Sequence, residues 1–167
     1  PTMPVAAQLA FALTIRNWSR KQITARVNEI AGMLNIEHLL KLAILHDLGE
    51  AITGDVPAIH QHGDQSARRA AEREAISTLT ECLDSELAAS IVALADDYDT
   101  AGSKEAQLMK GLDKLETMLQ HITAEDPATF DYAFNLSYGT KWTEQGALLP
   151  VLRARLDAMT RAKMEEN

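Results

Sequence analysis

Cysteine is almost absent from this sequence: Cys82 is the single one among 167 residues. A lone cysteine excludes an intrachain disulfide, so we expect a reducing compartment, the cytoplasm. No apolar run approaches the roughly 20 residues that a membrane-spanning helix needs, and we expect no membrane partner. Basic residues are also too few, since 16 lysines and arginines face 24 acidic residues for a net charge of −8. That balance argues against an extended surface for a nucleic-acid polymer.

Strand patterns and long sequence repeats are missing as well. No segment alternates between apolar and polar residues as a half-buried strand does, whereas three- and four-residue apolar spacing is common. We therefore predict a single all-α domain over residues 1–167, a bundle of about six to eight helices. Predicted helix starts carry capping residues, namely Ser19, then Asp84 or Ser85, then Ser103.

Two of the predicted helices carry charged residues beside apolar ones. The first covers about residues 37–51 and places His46 and Glu50 on one face at the end of an apolar stripe. The second covers about residues 66–83 and is rich in alanine, and we predict that its core-facing residues are Ala67, Ala70, Ala71, Ala75, Leu79 and Cys82. Charged runs at residues 72–74 and 153–161 are interpreted as solvated helix faces.

Titratable side chains are concentrated where the first of these helices ends. His46, Asp47, Glu50 and Asp55 fall within ten residues. Buried charges cost several kcal/mol unless they are paired or bind a metal, so the concentration indicates a functional site. Imidazole nitrogen and carboxylate oxygen together suit one divalent ion: Zn, Mn, Fe, Co or Mg. The alternative is that His46 only caps its own helix.

A third ligand candidate, Asp113, lies on a later predicted helix that starts at Ser103. It falls off the apolar stripe of that helix and has small neighbours, which leaves room for something to approach it. Three protein ligands leave open positions for water and substrate, as a catalytic ion requires. Otherwise Asp113 is a solvated charge.

Two segments resemble the HD-domain metal-dependent phosphohydrolases. These are HDLGEAITGDVP from His46 to Pro57 and LMKGLDKLETMLQ from Leu108 to Gln120. More narrowly, they are similar to the 5′-deoxynucleotidase-like subgroup, whose members show HD-x-x-E-x-x-x-G-D-[IV]-P and a later D-L-D-K-[LF]-[ED]. The acidic-aromatic stretch at residues 98–105 also fits that subgroup.

This resemblance implies a function and a role for each residue. The implied reaction is hydrolysis of a deoxynucleoside 5′-monophosphate, a small-molecule nucleotide substrate, to deoxynucleoside and phosphate with one divalent metal ion. His46, Asp47 and Asp113 are then the metal ligands. Glu50 and Asp55 help to activate water and to handle the leaving nucleoside.

The same resemblance implies one more metal-ligating histidine, on the first helix of the family. This sequence has no histidine before His38. We therefore expect that ligand to lie in a segment that precedes Pro1.

Two other functions stay open. An HD-domain oxygenase with two irons needs further histidines, for which His60 and His62 are the candidates. A non-catalytic module that binds metal or nucleotide for regulation needs no complete metal site. Aromatic residues at positions 130–142 are candidates for core cover, for the contact of a homodimer or for a platform that stacks on a nucleobase.

Overall fold

The computed structural model describes residues 19–61, 63, 65–124 and 130–166. Those residues form helices and no strand, which confirms the all-α prediction. None of the helices they form is long and apolar enough to cross a membrane. The helices are α1 (Arg20–Met33), α2 (Ile36–Leu45), α3 (Glu50–Thr53), α4 (Ser66–Thr80), α5 (Ser85–Thr100), α6 (Lys104–Thr123), α7 (Ala133–Ser137), α8 (Thr140–Thr143) and α9 (Leu149–Glu166), with a 3-10 helix at Ala58–His60 between α3 and α4.

The described chain divides into two compact units. The central unit is Glu37–Lys110, and the terminal unit comprises the described residues up to Ile36 and from Gly111 onward. A single domain over the whole chain remains a prediction.

Helix starts follow local side-chain chemistry, as predicted. The Ser19 hydroxyl accepts a hydrogen bond from the backbone amide of Gln22, and the Gln22 side chain accepts one in return from the Ser19 amide. Asp84 accepts from the amide of Leu87 at 2.9 Å. Ser103 accepts from the amide of Ala106 at 3.0 Å. Each cap satisfies an amide that the first helical turn leaves without a partner.

The core of the central unit joins three helices. Leu42 of α2, Leu94 of α5 and Ala106 of α6 are buried together. Leu45, Tyr98 and Met109 are partly buried and pack against this group. Burying a leucine fully contributes about 1.5–3 kcal/mol, so this cluster fixes the end of α2 against α5 and α6.

The prediction of one continuous helix over residues 37–51 was wrong. Helix α2 ends at Leu45, and residues 46–49 form a turn in which amides bond to carbonyls three residues back, such as Glu50 to Asp47 at 3.0 Å. Gly49 is buried in this turn. A Cβ at that position would lie 2.8 Å from the backbone oxygen of Glu72. The turn therefore packs directly on the backbone of α4, which only glycine permits.

The inward face of α4 differs in part from the prediction. Ala75 is buried as predicted, whereas the exposed residues are Ala67, Ala70, Ala71, Leu79 and Cys82. The observed inward face begins with the half-buried Arg68 and Glu72 and continues into three buried residues, which are Ala75, Ile76 and Thr80. Arg68 and Glu72 are paired at 2.6 Å, so each charge lowers the cost of burying the other.

Arg153 contradicts the interpretation of residues 153–161 as a solvated face. It is 4% exposed, and all three guanidinium nitrogens donate hydrogen bonds. Two of them reach carbonyl oxygens at the end of α7, among which that of Asn135 also accepts from the amide of Tyr138 at 3.3 Å. The acceptors are the carbonyls of Asn135, Leu136 and Tyr138, the Thr143 hydroxyl and the Asp157 carboxylate.

Replacing Arg153 with methionine should lower the free energy of unfolding by about 3–5 kcal/mol, because Asp157 and several carbonyls lose their partner. Arg155→Met is the matched control, since Arg155 is exposed on the same helix and its loss should change stability by less than about 0.5 kcal/mol. Urea unfolding of both variants measures the difference. Equal losses would contradict a structural role for the buried guanidinium.

Gly49→Ala should destabilise the chain by about 1–3 kcal/mol, because the new methyl group meets the backbone of α4. Gly32 is the control, since no atom from another described segment lies within 4 Å of a Cβ built there. Gly32→Ala should instead add about 0.5 kcal/mol through the better helix propensity of alanine. Thermal unfolding followed by circular dichroism compares the two, and an unchanged midpoint for Gly49→Ala would disprove the close packing.

Candidate active site

His46 begins the turn after α2 and lies close to Asp47. Its Nδ1 atom is 3.1 Å from the carbonyl oxygen of Ala43, and its Nε2 atom is 3.0 Å from Oδ2 of Asp47. A proton on Nδ1 satisfies the carbonyl and leaves a lone pair on Nε2 directed at the carboxylate. Two electron-rich atoms then face each other, and a proton or a shared cation between them removes the repulsion. A backbone carbonyl that orients the ring in this way is typical of metal-binding histidines.

An aromatic ring supports the imidazole from α5. The rings of Tyr98 and His46 are 5.3 Å apart and tilted by 58°. The ammonium of Lys110 lies 4.0 Å from the centre of the Tyr98 ring, within the range of a cation–π contact. Tyr98 thus contacts both the His46 ring and the positive charge of Lys110.

The corner between α5 and α6 holds Tyr98 in place through Asp97. This carboxylate accepts from the amide and the hydroxyl of Ser103 at 2.8 and 2.7 Å, and Nε2 of His38 is 2.8 Å from it. Burial by itself would raise the pKa of Asp97, but the hydrogen bonds from Ser103 and His38 outweigh it and hold the pKa below its usual value. Ala101 closes the corner with a φ of 51°, in the left-handed region.

Glu50 is the first residue of α3 and lines the same small cleft as His46. Its carboxylate accepts from Nη2 of Arg68 at 2.7 Å. Burial raises the pKa of Glu50 above its usual value, and the charges of Asp47 and Asp55 add to the rise, whereas Arg68 opposes it. A carboxyl group with a raised pKa, placed in a cleft, is suited to accepting and returning a proton.

Asp55 follows directly after α3. The preceding Gly54 has a φ of 80°, which turns the chain sharply, and Asp55 itself is exposed. Its charge contributes to the raised pKa of Glu50, so the two carboxyl groups share one electrostatic environment.

Asp99 is a cleft residue that the sequence pattern did not indicate as a site residue. It lines the cleft with His46 and Glu50, and it is half-buried. Burial raises the pKa of Asp99, and Lys110 opposes this only in part. The one feature of the sequence that pointed to Asp99 was its place beside Tyr98 in the acidic-aromatic stretch.

Arg68 is a second cleft-side residue that the sequence pattern did not indicate. Its four-residue spacing from Glu72 resembles an ordinary surface pair.

Asp113 belongs to the terminal unit, near the middle of α6. Its side chain is 19% exposed, and Oδ2 is 3.0 Å from Nζ of Lys114. Burial by itself would lower the pKa of Lys114, but the interactions with Asp113 and Tyr138 together outweigh it and the pKa lies above its usual value. Gly139 packs on the Lys114 stem, since a Cβ there would be 2.7 Å from that of Lys114.

Within residues 19–61, 63, 65–124 and 130–166, no three His, Cys, Asp or Glu side chains form a group that holds a metal ion. His46 and Asp47 nevertheless fit a divalent ion as a nitrogen and oxygen pair with the ring already oriented. His60 is exposed at the end of the 3-10 helix, and His62 lies outside the described residues.

Asp99→Asn should stabilise the chain at neutral pH. A raised folded-state pKa means that stability falls as pH rises from the usual Asp value of 3.8 through the folded-state value. Asparagine avoids that loss, so the stability difference between variant and wild type should be small at a pH just below that usual value and reach its full size near neutral pH. Urea unfolding at several pH values measures it.

Asp96→Asn is the control with the opposite sign. Asp96 pairs with Arg73 at 2.7 and 3.0 Å, and this hydrogen bond lowers the pKa of Asp96. Its stabilisation is present above the usual value of 3.8 and is lost as pH falls through the lowered pKa, so Asp96→Asn should destabilise the chain at neutral pH. Equal pH profiles for the two variants would refute the difference in environment.

Comparison with known proteins places the chain among HD proteins. It is 36% identical over 94 residues to a Mus musculus protein named 5′-deoxynucleotidase HDDC2, which covers 56% of this chain and 46% of the relative. A Danio rerio protein of the same name is 41% identical over 88 residues, 52% of this chain and 43% of the relative. A Schizosaccharomyces pombe protein, 5′-deoxynucleotidase hdd1, is 33% identical over 96 residues, which cover 55% of this chain and 48% of the relative.

The chain spans about half the length of the curated relatives it matches. The family model described as HD domain covers far more of the chain itself, because it matches residues 21–151. This chain therefore belongs to the HD-domain family.

Proposed function

We propose that this protein hydrolyses the 5′-phosphate ester of a deoxynucleoside monophosphate with the help of one divalent ion. The observation that carries the proposal is the His46–Asp47 pair, which presents nitrogen and oxygen 3.0 Å apart beside the carboxyl group of Glu50. The names of the relatives support the substrate class.

We propose that the ion is held by His46, Asp47 and Asp113. The ion is one of Co, Mn, Mg, Zn or Fe. The pair in the turn supplies two ligands of suitable type, and Asp113 is included because of the sequence resemblance. A divalent ion held there would supply positive charge that polarises the phosphoryl group and makes water more acidic.

Glu50 handles the proton in this proposal. Its carboxylate takes a proton from the attacking water, whose oxygen bonds to phosphorus while the bond from phosphorus to the 5′ oxygen breaks. Glu50 then returns the proton to that 5′ oxygen, so the products are deoxynucleoside and phosphate. A pKa raised by burial suits both halves of this exchange.

Asp55 has a different role in the proposal. An exposed carboxylate accepts hydrogen bonds. Asp55 is exposed, follows Gly54 directly and comes shortly after Glu50 in the chain. We assign it to orient a sugar hydroxyl of the substrate. A cytoplasmic location and a homodimer remain predictions.

Purified native protein should release phosphate from dAMP, dGMP or dTMP when Co²⁺ or Mn²⁺ is present, and a chelator should abolish the release. Glu50→Gln should lower kcat by at least about 100-fold, because the amide cannot carry the proton. Glu74→Gln is the control, since Glu74 is exposed on α4 and its loss should leave kcat unchanged.

Two outcomes would reject this function. No phosphate release with either ion, combined with no metal uptake in calorimetric titration, would favour a regulatory module. Two irons per chain by elemental analysis, together with oxygen consumption, would favour the oxygenase.

A further inference from the structure

Arg68 lies between two carboxylates that belong to different helices. Its Nη2 atom donates to Glu50 of α3 at 2.7 Å, and its Nε atom donates to Glu72 of its own helix at 2.6 Å. The three side chains are 21–23% exposed, so solvent only partly screens the contacts. Nη1 is buried and makes no hydrogen bond to the described part of the chain. The bonds from this guanidinium to described residues therefore go to Glu50 and Glu72.

The bridge formed by Arg68 between Glu72 and Glu50 fixes the direction of the guanidinium as well as its distance from Glu50. A guanidinium is planar, so two of its donors held by two acceptors leave little freedom of rotation. Glu72 lies one turn from Arg68 on α4, and its pairing settles the conformation of Arg68. Nη2 is thereby presented to Glu50 before any substrate arrives.

The backbone beneath the bridge is fixed too. Gly49 packs on the Glu72 backbone, and Glu50 is the next residue along the chain. The starting point of the Glu50 side chain is therefore set against α4, and Arg68 sets its far end. A long, flexible carboxylate side chain is held at both ends.

The charges that shift the pKa of Glu50 come from two segments, and Arg73 and Asp99 also line the cleft. Asp47 and Asp55 lie on its own segment, and α4 contributes Arg68 and Glu72. Asp47, Asp55 and Glu72 raise the pKa of Glu50, and Arg68 is the group among these four that lowers it. Arg68 consequently opposes the rise in the pKa of Glu50 that burial and the neighbouring carboxylates cause.

We propose that Arg68 is a positioning residue, which holds the Glu50 carboxylate in the orientation that exchanges a proton with the reacting water. This inference rests on the proposed function of Glu50. It assigns Arg68 no contact with substrate.

Arg68→Met should lower kcat by about 10- to 100-fold with KM changed by less than about two-fold, because only the proton-transfer step loses its geometry. The acid limb of the pH–kcat profile should move up by about one pH unit, since Glu50 loses a nearby opposite charge. Arg68→Lys should restore the acid limb and only part of kcat, because an ammonium cannot bridge two carboxylates as a fork.

Two comparisons separate positioning from simple stabilisation. In a Glu50→Gln background, Arg68→Met should cause no further loss of kcat, because Arg68 acts through Glu50. Lys41→Met is the matched control, since it removes an exposed cation paired with Glu37 at 2.7 Å and should leave kcat and the pH profile unchanged. The proposal would be overturned if kcat of the double variant fell well below that of Glu50→Gln alone, or if the acid limb of the pH–kcat profile were unchanged in Arg68→Met.

A readout without catalysis distinguishes failure of this inference from failure of the proposed function. Wild-type protein that releases no phosphate rejects the function. The pKa of Glu50, measured by ¹³C NMR titration and assigned with Glu50→Gln, should still rise in Arg68→Met and stay near the wild-type value in Arg68→Lys. An unchanged pKa in Arg68→Met would overturn the role of Arg68 whether or not the enzyme is active.

Discussion

The packing of Gly49 on the backbone of Glu72 is the constraint on which the candidate site depends. It brings the turn after α2 to within van der Waals contact of α4. His46 and Asp47 precede the contact in the chain, and Glu50 follows it immediately. A larger residue at position 49 would separate the histidine–aspartate pair and the Glu50 carboxyl group from the helix that carries Arg68. Functional side chains are held more closely when the backbone beneath them is fixed.

The α5–α6 corner fixes another part of the cleft lining by other means. There a single carboxylate, Asp97, collects hydrogen bonds from Ser103 and lies 2.8 Å from His38. Tyr98 and Asp99 follow it directly, so this polar network helps to fix their positions, together with the packing of Tyr98 on the core. The central unit thus builds one cleft from a steric contact in one part of its lining and from charge-assisted hydrogen bonds in another.

Features that depend on neighbouring residues were predictable from sequence, and those that depend on distant ones were not. The caps at Ser19, Asp84 and Ser103 follow from a side chain and an amide three residues away. The break after Leu45 and the inward face of α4 depend on contacts between segments, which helical periodicity does not encode. His46, Asp47 and Glu50 were recognisable by residue type and spacing. Arg68, Asp99 and Arg153 were not, because burial of a charge depends on its partner.

Tyr98 has a consequence for how the site can be observed. The chain contains three tyrosines, and Tyr98 is the only tyrosine, tryptophan or phenylalanine between residues 37 and 110. Its ring lies 5.3 Å from that of His46 and 4.0 Å from the Lys110 ammonium. Any event that changes the charge or the tilt of the imidazole alters the magnetic surroundings of this ring. The central unit therefore carries a native spectroscopic reporter at its candidate site, and no label has to be introduced there.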